Sequence, residues 1–352
     1  MKLKVGIIGA GGIAQYAHIP SYQKNSDIEV VAISDTNQEK LKTVSEKFKI
    51  PLTFSRWDEM LSEDLDIISI CTPSVFHFPQ SVKAMELGKH VLCEKPICIS
   101  SKELKEIFKV SSNTGMKFMG AMHKRFSGEA QVLKKIIKNG HLGKIYYTKA
   151  SWVRRRGIPY PGSWFTNKSL SGGGTLMDIG VHAIDLLIYL TGISEPEFVI
   201  GATYNKFKDI ATDGGWPPPD TRKGDKYTGI IDVEELATGF IKFKGGETLF
   251  AEACWAGNLK TDFSIDILGT KGGARIVNPG ERKKNSLTIY GEIEGVISDF
   301  TPTVPITNPF QEEIEHFVDC IKNDRMPLTS REELLTVMEI IEGIYHSATS
   351  NS

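Results

Sequence analysis

Two polar residues within an apolar stretch have the spacing of a catalytic pair. Asp178 and His182 are four residues apart, so on a helix they share one face. A histidine there can act as a general base near neutral pH, and a carboxylate one turn away can orient it or hold a substrate. Asp185 is a further possible partner, and the glycines at 172–174 suggest close approach by a ligand. Two alternatives remain open: an Asp–His pair that only satisfies itself, and a metal site formed by all three side chains.

A second candidate is the charged pair in Glu94-Lys95-Pro96, which follows a predicted buried strand. Pro96 favours an extended backbone at Lys95. In a doubly wound sheet this position, at the carboxyl end of a strand, is where the reactive ring of a cofactor lies. The pair is therefore a candidate for catalysis, with a surface ion pair as the alternative.

Near the start of the chain, Gly9-Ala10-Gly11-Gly12-Ile13-Ala14 forms a G-x-G-x-x-A fingerprint between a predicted strand and a predicted helix. The glycines allow a tight turn and close approach to a pyrophosphate, and Ala14 lets helix and strand pack closely. Asp35, about 20 residues further on, is the expected acid that binds both adenosine ribose hydroxyls and repels a 2′-phosphate. No arginine follows it, so the sequence favours NAD over NADP. A plain glycine turn and a helix cap at Asp35 are the alternatives.

Thr72-Pro73 ends another predicted strand. It can line the nicotinamide side of the same cleft, or only begin a helix with a proline near its first turn. The predicted cofactor-binding residues are Gly9, Gly11, Gly12, Ile13, Ala14, Asp35, Thr72, Pro73, Glu94 and Lys95.

These residues need a framework, and the apolar pattern predicts one. Strands at 3–9, 28–35, 66–71, 90–94 and 117–121 alternate with helices, which indicates a parallel, doubly wound α/β sheet. After residue 122 the pattern changes to strands at 146–154, 197–204, 233–243, 248–255 and 262–268 without regular helices between them. This predicts a second, α+β domain with a mostly antiparallel sheet. We therefore expect a dinucleotide-binding domain at 1–122 and a substrate-binding domain at 123–352.

Composition excludes several classes of protein. Lys+Arg 42 against Asp+Glu 43 gives a net charge of -1, so there is no basic excess for binding nucleic acid. No uninterrupted apolar run approaches the roughly 18 residues of a membrane span. The five cysteines are an odd number with no C-x-x-C pair, so neither a disulfide framework nor a zinc knuckle is indicated. We predict a cytoplasmic protein that needs no metal.

Taken together, the glycine fingerprint, Thr72-Pro73, Glu94-Lys95-Pro96 and the Gly172-Gly173-Gly174-x-x-x-Asp178-x-x-x-His182 motif resemble the glucose-fructose oxidoreductase, inositol dehydrogenase and MocA family over nearly the whole chain. The resemblance implies a Rossmann domain and a large open sheet that often serves for oligomerisation. It implies that Lys95, Asp178 and His182 are catalytic, with His182 as the base, Lys95 stabilising the developing charge and Asp178 positioning Lys95 or the substrate. His123 departs from the Tyr or Asn that family members often carry, which puts local substrate contacts in doubt.

The leading hypothesis is an NAD-dependent dehydrogenase of a sugar, inositol or related polyol, acting as a homodimer or homotetramer. One alternative is an NAD-retaining glycoside-cleaving enzyme that oxidises, eliminates and re-reduces. Another is a non-enzymatic sugar or NAD sensor, against which the intact catalytic set argues. Further candidates for ligand contact are Arg154 and Arg156, which would share one face of a strand end, and Trp164-Phe165. The alternatives are solvated arginines and an aromatic pair in the core. The polar loop at 216–226 can shape a pocket or a subunit contact, or be a surface excursion.

Overall fold

The computed structural model describes residues 2–210, 212–223, 225, 227–281 and 286–350, with backbone only at Ile210. Its first sheet has six parallel strands in the order β3-β2-β1-β4-β5-β6. The strands are β1 (Leu3–Ile8), β2 (Ile28–Ser34), β3 (Leu52–Phe54), β4 (Ile67–Ile70), β5 (His90–Cys93) and β6 (Phe118–Gly120). The strand order reverses between β1 and β4, which places a ligand cleft beyond their carboxyl ends.

Helices connect these strands. They are α1 (Ile19–Lys24), α2 (Gln38–Phe48), α3 (Trp57–Met60), α4 (His77–Glu86) and α5 (Ser101–Thr114). A π-helical turn, Ala14–His18, precedes α1. Side-chain caps define two helix starts, because Asn37 accepts from the Lys40 amide and Ser100 accepts from the Glu103 amide. The central strand β4 is buried along its whole length, as expected for a parallel strand covered on both faces.

The second half of the chain forms an eight-stranded sheet in the order β14-β13-β12-β11-β7-β10-β9-β8. Its strands are β7 (Ile145–Val153), β8 (Pro196–Tyr204), β9 (Leu236–Phe243), β10 (Thr248–Cys254), β11 (Asp262–Gly269), β12 (Gly273–Val277), β13 (Leu287–Ile293) and β14 (Val296–Phe300). All neighbouring strands are antiparallel except β7 and β10, which are parallel. The sheet is therefore mostly antiparallel, as the sequence predicts.

Five helices accompany this sheet: α6 (Gly128–Lys138), α7 (Lys168–Ser171), α8 (Val181–Thr191), α9 (Pro309–Lys322) and α10 (Arg331–Ser350). A π-helical turn, Leu176–Gly180, leads into α8, which packs against β7 and β11. The helical stretch Lys168–Thr191 is long and apolar enough to cross a membrane, but its most apolar part is completely buried in the protein. It is the central core helix of the second half.

The two halves are not independent in their packing. One hydrophobic cluster contains residues of both sheets, and α9 contributes Ile314, Phe317 and Val318 to the cluster around Val5 and Ile7 of β1. The chain thus returns to the first sheet near its end. The division into 1–122 and 123–352 remains a prediction.

The fold class is confirmed: a doubly wound parallel sheet is joined to a large, mostly antiparallel one. The sequence pattern does not predict the short strand β3 at one edge of the first sheet, or the strands β12, β13 and β14 at one end of the second. These strands are short or partly solvated, so they lack the long apolar run that reveals a central strand.

Candidate active site

The candidate catalytic motif of the second half lies at the start of its core helix. Asp178 is in the π-helical turn and His182 is in the first turn of α8, and both side chains are buried. The chain reaches this position through the glycines at 172–174. A Cβ on Gly174 would lie 2.0 Å from the carbonyl oxygen of Glu234, so this glycine is required by protein packing. The expectation that these glycines mark ligand approach is therefore corrected at Gly174.

Glu234 holds this segment in place. Its buried carboxylate accepts hydrogen bonds from the amides of Gly174 and Leu176 and from the hydroxyl of Tyr345. A carboxylate that receives several donors fixes the backbone from which they project. Sequence reasoning missed Glu234, since a single acid before a strand carries no motif.

Lys95 connects the first sheet to this helix. Its Nζ donates to the Asp178 carboxylate at 2.7 Å and to the Asp178 carbonyl oxygen at 2.9 Å. The other carboxylate oxygen of Asp178 accepts from the indole N–H of Trp255 at 2.9 Å. Burial would raise the pKa of Asp178, but the charges of Lys95 and Arg154 and these hydrogen bonds outweigh it, and the pKa is lowered. Asp178 is therefore an anion that fixes Lys95.

His182 has no such partner. Its Nδ1 is buried without a hydrogen-bond partner among the described residues, and the ring lines a cavity. The His123 ring packs edge-on against it, with centroids 4.9 Å apart, and His123 itself stacks on Phe310 at 4.2 Å. The alternative of a self-satisfying Asp178–His182 pair is wrong, because Asp178 is taken up by Lys95 and Trp255.

The electrostatic environment keeps His182 neutral. Burial is the largest influence lowering its pKa, and the nearby Lys95, His123, Lys124 and Arg154 lower it further. The pKa therefore lies well below the usual value, and the imidazole is unprotonated at neutral pH. A neutral imidazole among fixed cations is able to accept a proton.

These side chains line a cavity of about 340 Å³ between the two halves of the chain. Its volume is at the low end of the range for ligand sites, which suits a small molecule. Aromatic rings form much of the wall. The lining includes Ile13, Tyr16, Thr72, Glu94, Lys95 and Pro96 from the first half and His123, Lys124, Trp152, Arg154, Trp164, Phe165, Asp178, His182, Trp216 and Phe310 from the second.

Glu94 does not pair with the Lys95 ammonium. Its carboxylate contacts the ring of His18 at 2.9 Å and accepts from the Lys95 backbone amide, while the other nitrogen of His18 is 2.7 Å from the Ser69 hydroxyl. Glu94 thus fixes the position of the Lys95 backbone. The surface ion pair considered for these two residues is wrong, since both line the cavity.

His77 joins the two strand-end motifs of the first sheet. It is buried, and its ring nitrogens lie 2.7 Å from the carbonyl oxygen of Pro96 and 2.8 Å from that of Thr72. The Thr72 hydroxyl donates to the side-chain oxygen of Gln80. His77 is therefore a structural residue that fixes the relative positions of Thr72-Pro73 and Glu94-Lys95.

A second cavity, of about 680 Å³, runs along the glycine fingerprint. Gly9, Gly11, Gly12, Asp35, Thr72 and Pro73 line it. A Cβ on Gly11 would meet nothing within 4 Å, so the space above this residue is open. Thr72 and Trp164 border both cavities, which therefore meet at these two residues.

The fingerprint itself fits a dinucleotide. Asp35 accepts from the amides of Ala10 and Asn37, both at 2.8 Å, which holds its carboxylate at the edge of the cleft. Open space over glycine amides at a helix start suits a pyrophosphate, and a carboxylate at the end of β2 suits ribose hydroxyls. Ala14 is fully buried and lines neither cavity, so it acts through helix–strand packing.

The described part of the polar loop, residues 216–223 and 225, covers this cleft. Pro217 lies against Gly12, where a Cβ would be 2.4 Å from the proline ring, and Asp225 forms an ion pair with the buried Lys40. Trp216 reaches the first cavity. Gly224 and Lys226 of the predicted segment lie outside the described residues. The loop is thus a ligand-cleft element and not a surface excursion.

Asp185 is not part of the site formed by His182. Its carboxylate instead accepts hydrogen bonds from Nε and Nη2 of the buried Arg125. The alternative metal site is therefore not assembled, and the described residues contain no group of three potential metal ligands.

Arg154 turns into the first cavity, whereas Arg155 and Arg156 are exposed and Arg156 lies over Phe207. The strand ends at Val153, so its alternation does not extend to these arginines.

Comparison with known proteins identifies relatives over the whole chain. The model of the oxidoreductase family with an NAD-binding Rossmann fold matches residues 3–121, and that of the C-terminal alpha/beta domain of the same family, GFO_IDH_MocA, matches residues 134–352. The D-glucoside 3-dehydrogenase of Escherichia coli is 28% identical over 99% of this chain and 96% of its own length. The levoglucosan dehydrogenase of Pseudarthrobacter phenanthrenivorans is 26% identical over 77% of this chain and 72% of its own length. The structure of aldose-aldose oxidoreductase from Caulobacter crescentus, complexed with glycerol, is similar with a TM-score of 0.81 and 25% identity, covering 100% and 99% of the two chains.

We expect Gly11 of the glycine fingerprint to matter for dinucleotide binding and Gly174, before the core helix, to matter for protein stability. Gly11→Ala places a methyl group in open space, so we expect a change in unfolding free energy below about 0.5 kcal/mol and dinucleotide binding weakened by about tenfold or more. Gly174→Ala places one against Glu234, so we expect destabilisation of about 1–3 kcal/mol. Denaturant unfolding and NADH titration measure the two effects. Equal destabilisation by both substitutions would contradict this assignment.

Proposed function

Since the chain belongs to the Gfo/Idh/MocA family of oxidoreductases, we propose that it is an NAD-dependent dehydrogenase that oxidises a hydroxyl group of a sugar, inositol or related polyol. The observation that carries the proposal is His182. This neutral, buried base has no hydrogen-bond partner at Nδ1 among the described residues, and it shares a cavity with an ammonium group that Asp178 holds in place. Relatives named as dehydrogenases of glucosides and of levoglucosan support the substrate class.

The proposed proton acceptor is the edge of the His182 ring that borders the cavity. A substrate hydroxyl that donates to it loses its proton as the carbon is oxidised. The cations around His182 favour this transfer indirectly, because they stabilise the negative charge that develops on the substrate oxygen. The aromatic side chains of the wall are suited to limiting the access of water to the same space.

Lys95 is proposed to hydrogen-bond the same oxygen. Its ammonium already gives hydrogen bonds to the side chain and the carbonyl of Asp178, which leaves one N–H for a substrate. Asp178 and Trp255 fix the direction of that remaining donor, so the charge is positioned before the substrate binds. Asp178 is thereby a residue that positions Lys95.

NAD, when bound, supplies the hydride acceptor. We propose that Gly9, Gly11, Gly12 and Ile13 approach its pyrophosphate, that Asp35 binds the adenosine ribose, and that Thr72, Pro73, Glu94 and Lys95 lie on the nicotinamide side. Because Thr72 borders both cavities, this arrangement brings the redox-active ring to the cavity that contains His182. Ala14 contributes only through packing.

We also propose that the chain forms a homodimer or larger homo-oligomer. Phe198, Ile200, Phe240 and Tyr290 are exposed on strands of the second sheet, and an open apolar sheet face is suited to a subunit contact. All five cysteines are buried free thiols, which supports the cytoplasmic location proposed for the protein.

Removing the proposed base or the proposed donor should abolish turnover. We expect Lys95→Met and His182→Ala each to lower kcat by about 100-fold or more, because each removes a group that acts on the substrate oxygen. NADH affinity should change much less, since neither variant alters the glycine fingerprint. NADH formation across a panel of monosaccharides, inositols and anhydrosugars, with NADH titration in parallel, tests both statements.

The matched controls are Lys102→Met and His346→Ala, which change exposed residues of the same types. Wild-type activity in either control shows that the losses are specific to the cavity. Full activity of Lys95→Met or His182→Ala on the best substrate would refute the assigned roles. A wild-type protein that binds NADH and oxidises no sugar or polyol would refute the proposed function.

The preference for NAD should depend on Asp35. In Asp35→Ala we expect NADH to bind about tenfold more weakly, while NADPH loses much less because the repulsion of its 2′-phosphate disappears. Fluorescence titration with both cofactors gives the ratio of affinities, and Asp64→Ala, at a side chain that is 91% exposed, is the control. An unchanged ratio in Asp35→Ala would contradict the role of this carboxylate.

A further inference from the structure

The cavity that contains His182 holds two cations, Lys124 and Arg154. Among the residues that the structure describes, no carboxylate forms a salt bridge with either side chain.

The neutral contacts of the two cations leave donors unused. The Arg154 guanidinium donates one long hydrogen bond, 3.4 Å, to the Gly157 carbonyl oxygen and lies 5.2 Å from the centroid of Trp152. The Lys124 ammonium donates to the Pro279 carbonyl oxygen at 2.8 Å and is 5.5 Å from the same indole centroid. An arginine has five N–H donors and a lysine three, so most of them point to ligand or solvent.

The two carboxylates that line this cavity are already committed. Asp178 binds Lys95 and Trp255, and Glu94 binds His18 and the Lys95 amide. Lys124 and Arg154 therefore give the cavity an excess of positive charge. The pKa of Lys124 is lowered to about 8, chiefly by burial, which Glu281 and Glu129 oppose and Arg154 assists. Two desolvated cations that lack an ion-pair partner among the described residues are unfavourable at one cavity, so they indicate an anionic ligand.

We infer that the substrate is an anionic sugar or polyol, one whose carboxylate or phosphate group binds to Arg154 and Lys124. The inference rests on the proposed function and narrows its substrate class. An arginine fork with a neighbouring ammonium suits either group, since both present oxygens that accept charged hydrogen bonds.

Both the reacting hydroxyl and the anionic group must lie on one small sugar unit. The His182 ring centroid is 5.9 Å from that of Trp152, and the two cations lie 5.2 and 5.5 Å from the same centroid. All three groups therefore surround a single indole ring. The cavity of about 340 Å³ leaves room for a monosaccharide and not for a long chain.

Matched probes test this inference. The panel consists of glucose, glucuronate and glucose 6-phosphate, the corresponding galactose series, and inositol with its monophosphate. Calorimetry measures the binding of each to the wild-type protein saturated with NADH, and NADH formation is measured separately with NAD. We expect at least one acidic probe to bind tenfold or more tightly than its neutral counterpart, and the uronate and phosphate arms tell which anion is preferred.

Variants connect the preference to the two side chains. Arg154→Gln and Lys124→Gln should each weaken binding of the preferred acidic probe by about 10- to 100-fold and that of its neutral counterpart by less than about threefold. Arg155→Gln, the adjacent exposed arginine, is the control and should change neither. Loss of acidic and neutral binding to the same extent in Arg154→Gln and Lys124→Gln would overturn the inference.

The two proposals fail in different ways. If neutral probes bind as tightly as every acidic counterpart, the inference is wrong, whether or not they are oxidised. Oxidation of neutral sugars alone would leave the dehydrogenase assignment intact and overturn the anionic substrate. If acidic probes bind through Arg154 and Lys124 but no probe is oxidised, the inference holds for the ligand and the proposed reaction is wrong.

Discussion

The ion pair between Lys95 and Asp178 is the interaction on which the site depends. Lys95 follows β5 of the parallel sheet, and Asp178 precedes the core helix that packs against the second sheet, so the pair joins the two halves at the cavity. Removing one partner of a buried pair leaves an uncompensated charge, so the loss of either side chain is strongly destabilising. Trp255, Glu234 and His77 each fix one of the segments that carry the pair. This connection fixes the position of Lys95 relative to the helix that carries His182.

The same arrangement explains the protonation state of the proposed base. Among the described residues Asp178 forms an ion pair with Lys95 alone, and Lys124 and Arg154 remain around His182 together with the neutral His123. A histidine in such surroundings stays unprotonated, while an oxygen that gains negative charge is stabilised. The positive cavity therefore serves two purposes in our account. It keeps the base free, and it attracts the anionic group of a substrate.

Much of this was predictable because local motifs coincide with the ends of regular elements. The glycine fingerprint, Asp35, Thr72-Pro73 and Glu94-Lys95 all follow apolar strands, and parallel strands place their carboxyl ends at one edge. The helical spacing of Asp178 and His182 indicates that they share one face.

The side chains that contact these residues were not predictable. Asp185 has the right spacing from His182 but pairs with Arg125, which is 60 residues away in sequence, and Lys124 and Trp255 enter the site only through tertiary packing. Pro217 lies over the glycine fingerprint although about 200 residues separate them, and spacing carries no information about such contacts.

The central claim is that burial and fixed cations hold His182 neutral and ready to accept a proton. Nuclear magnetic resonance titration of the imidazole in the protein without substrate measures this directly, with the signal assigned by its loss in His182→Ala. The account predicts a pKa well below 6.5 that rises toward this value in Lys124→Gln, because one of the neighbouring positive charges is then removed. A pKa at or above 6.5 in the wild-type protein would contradict it.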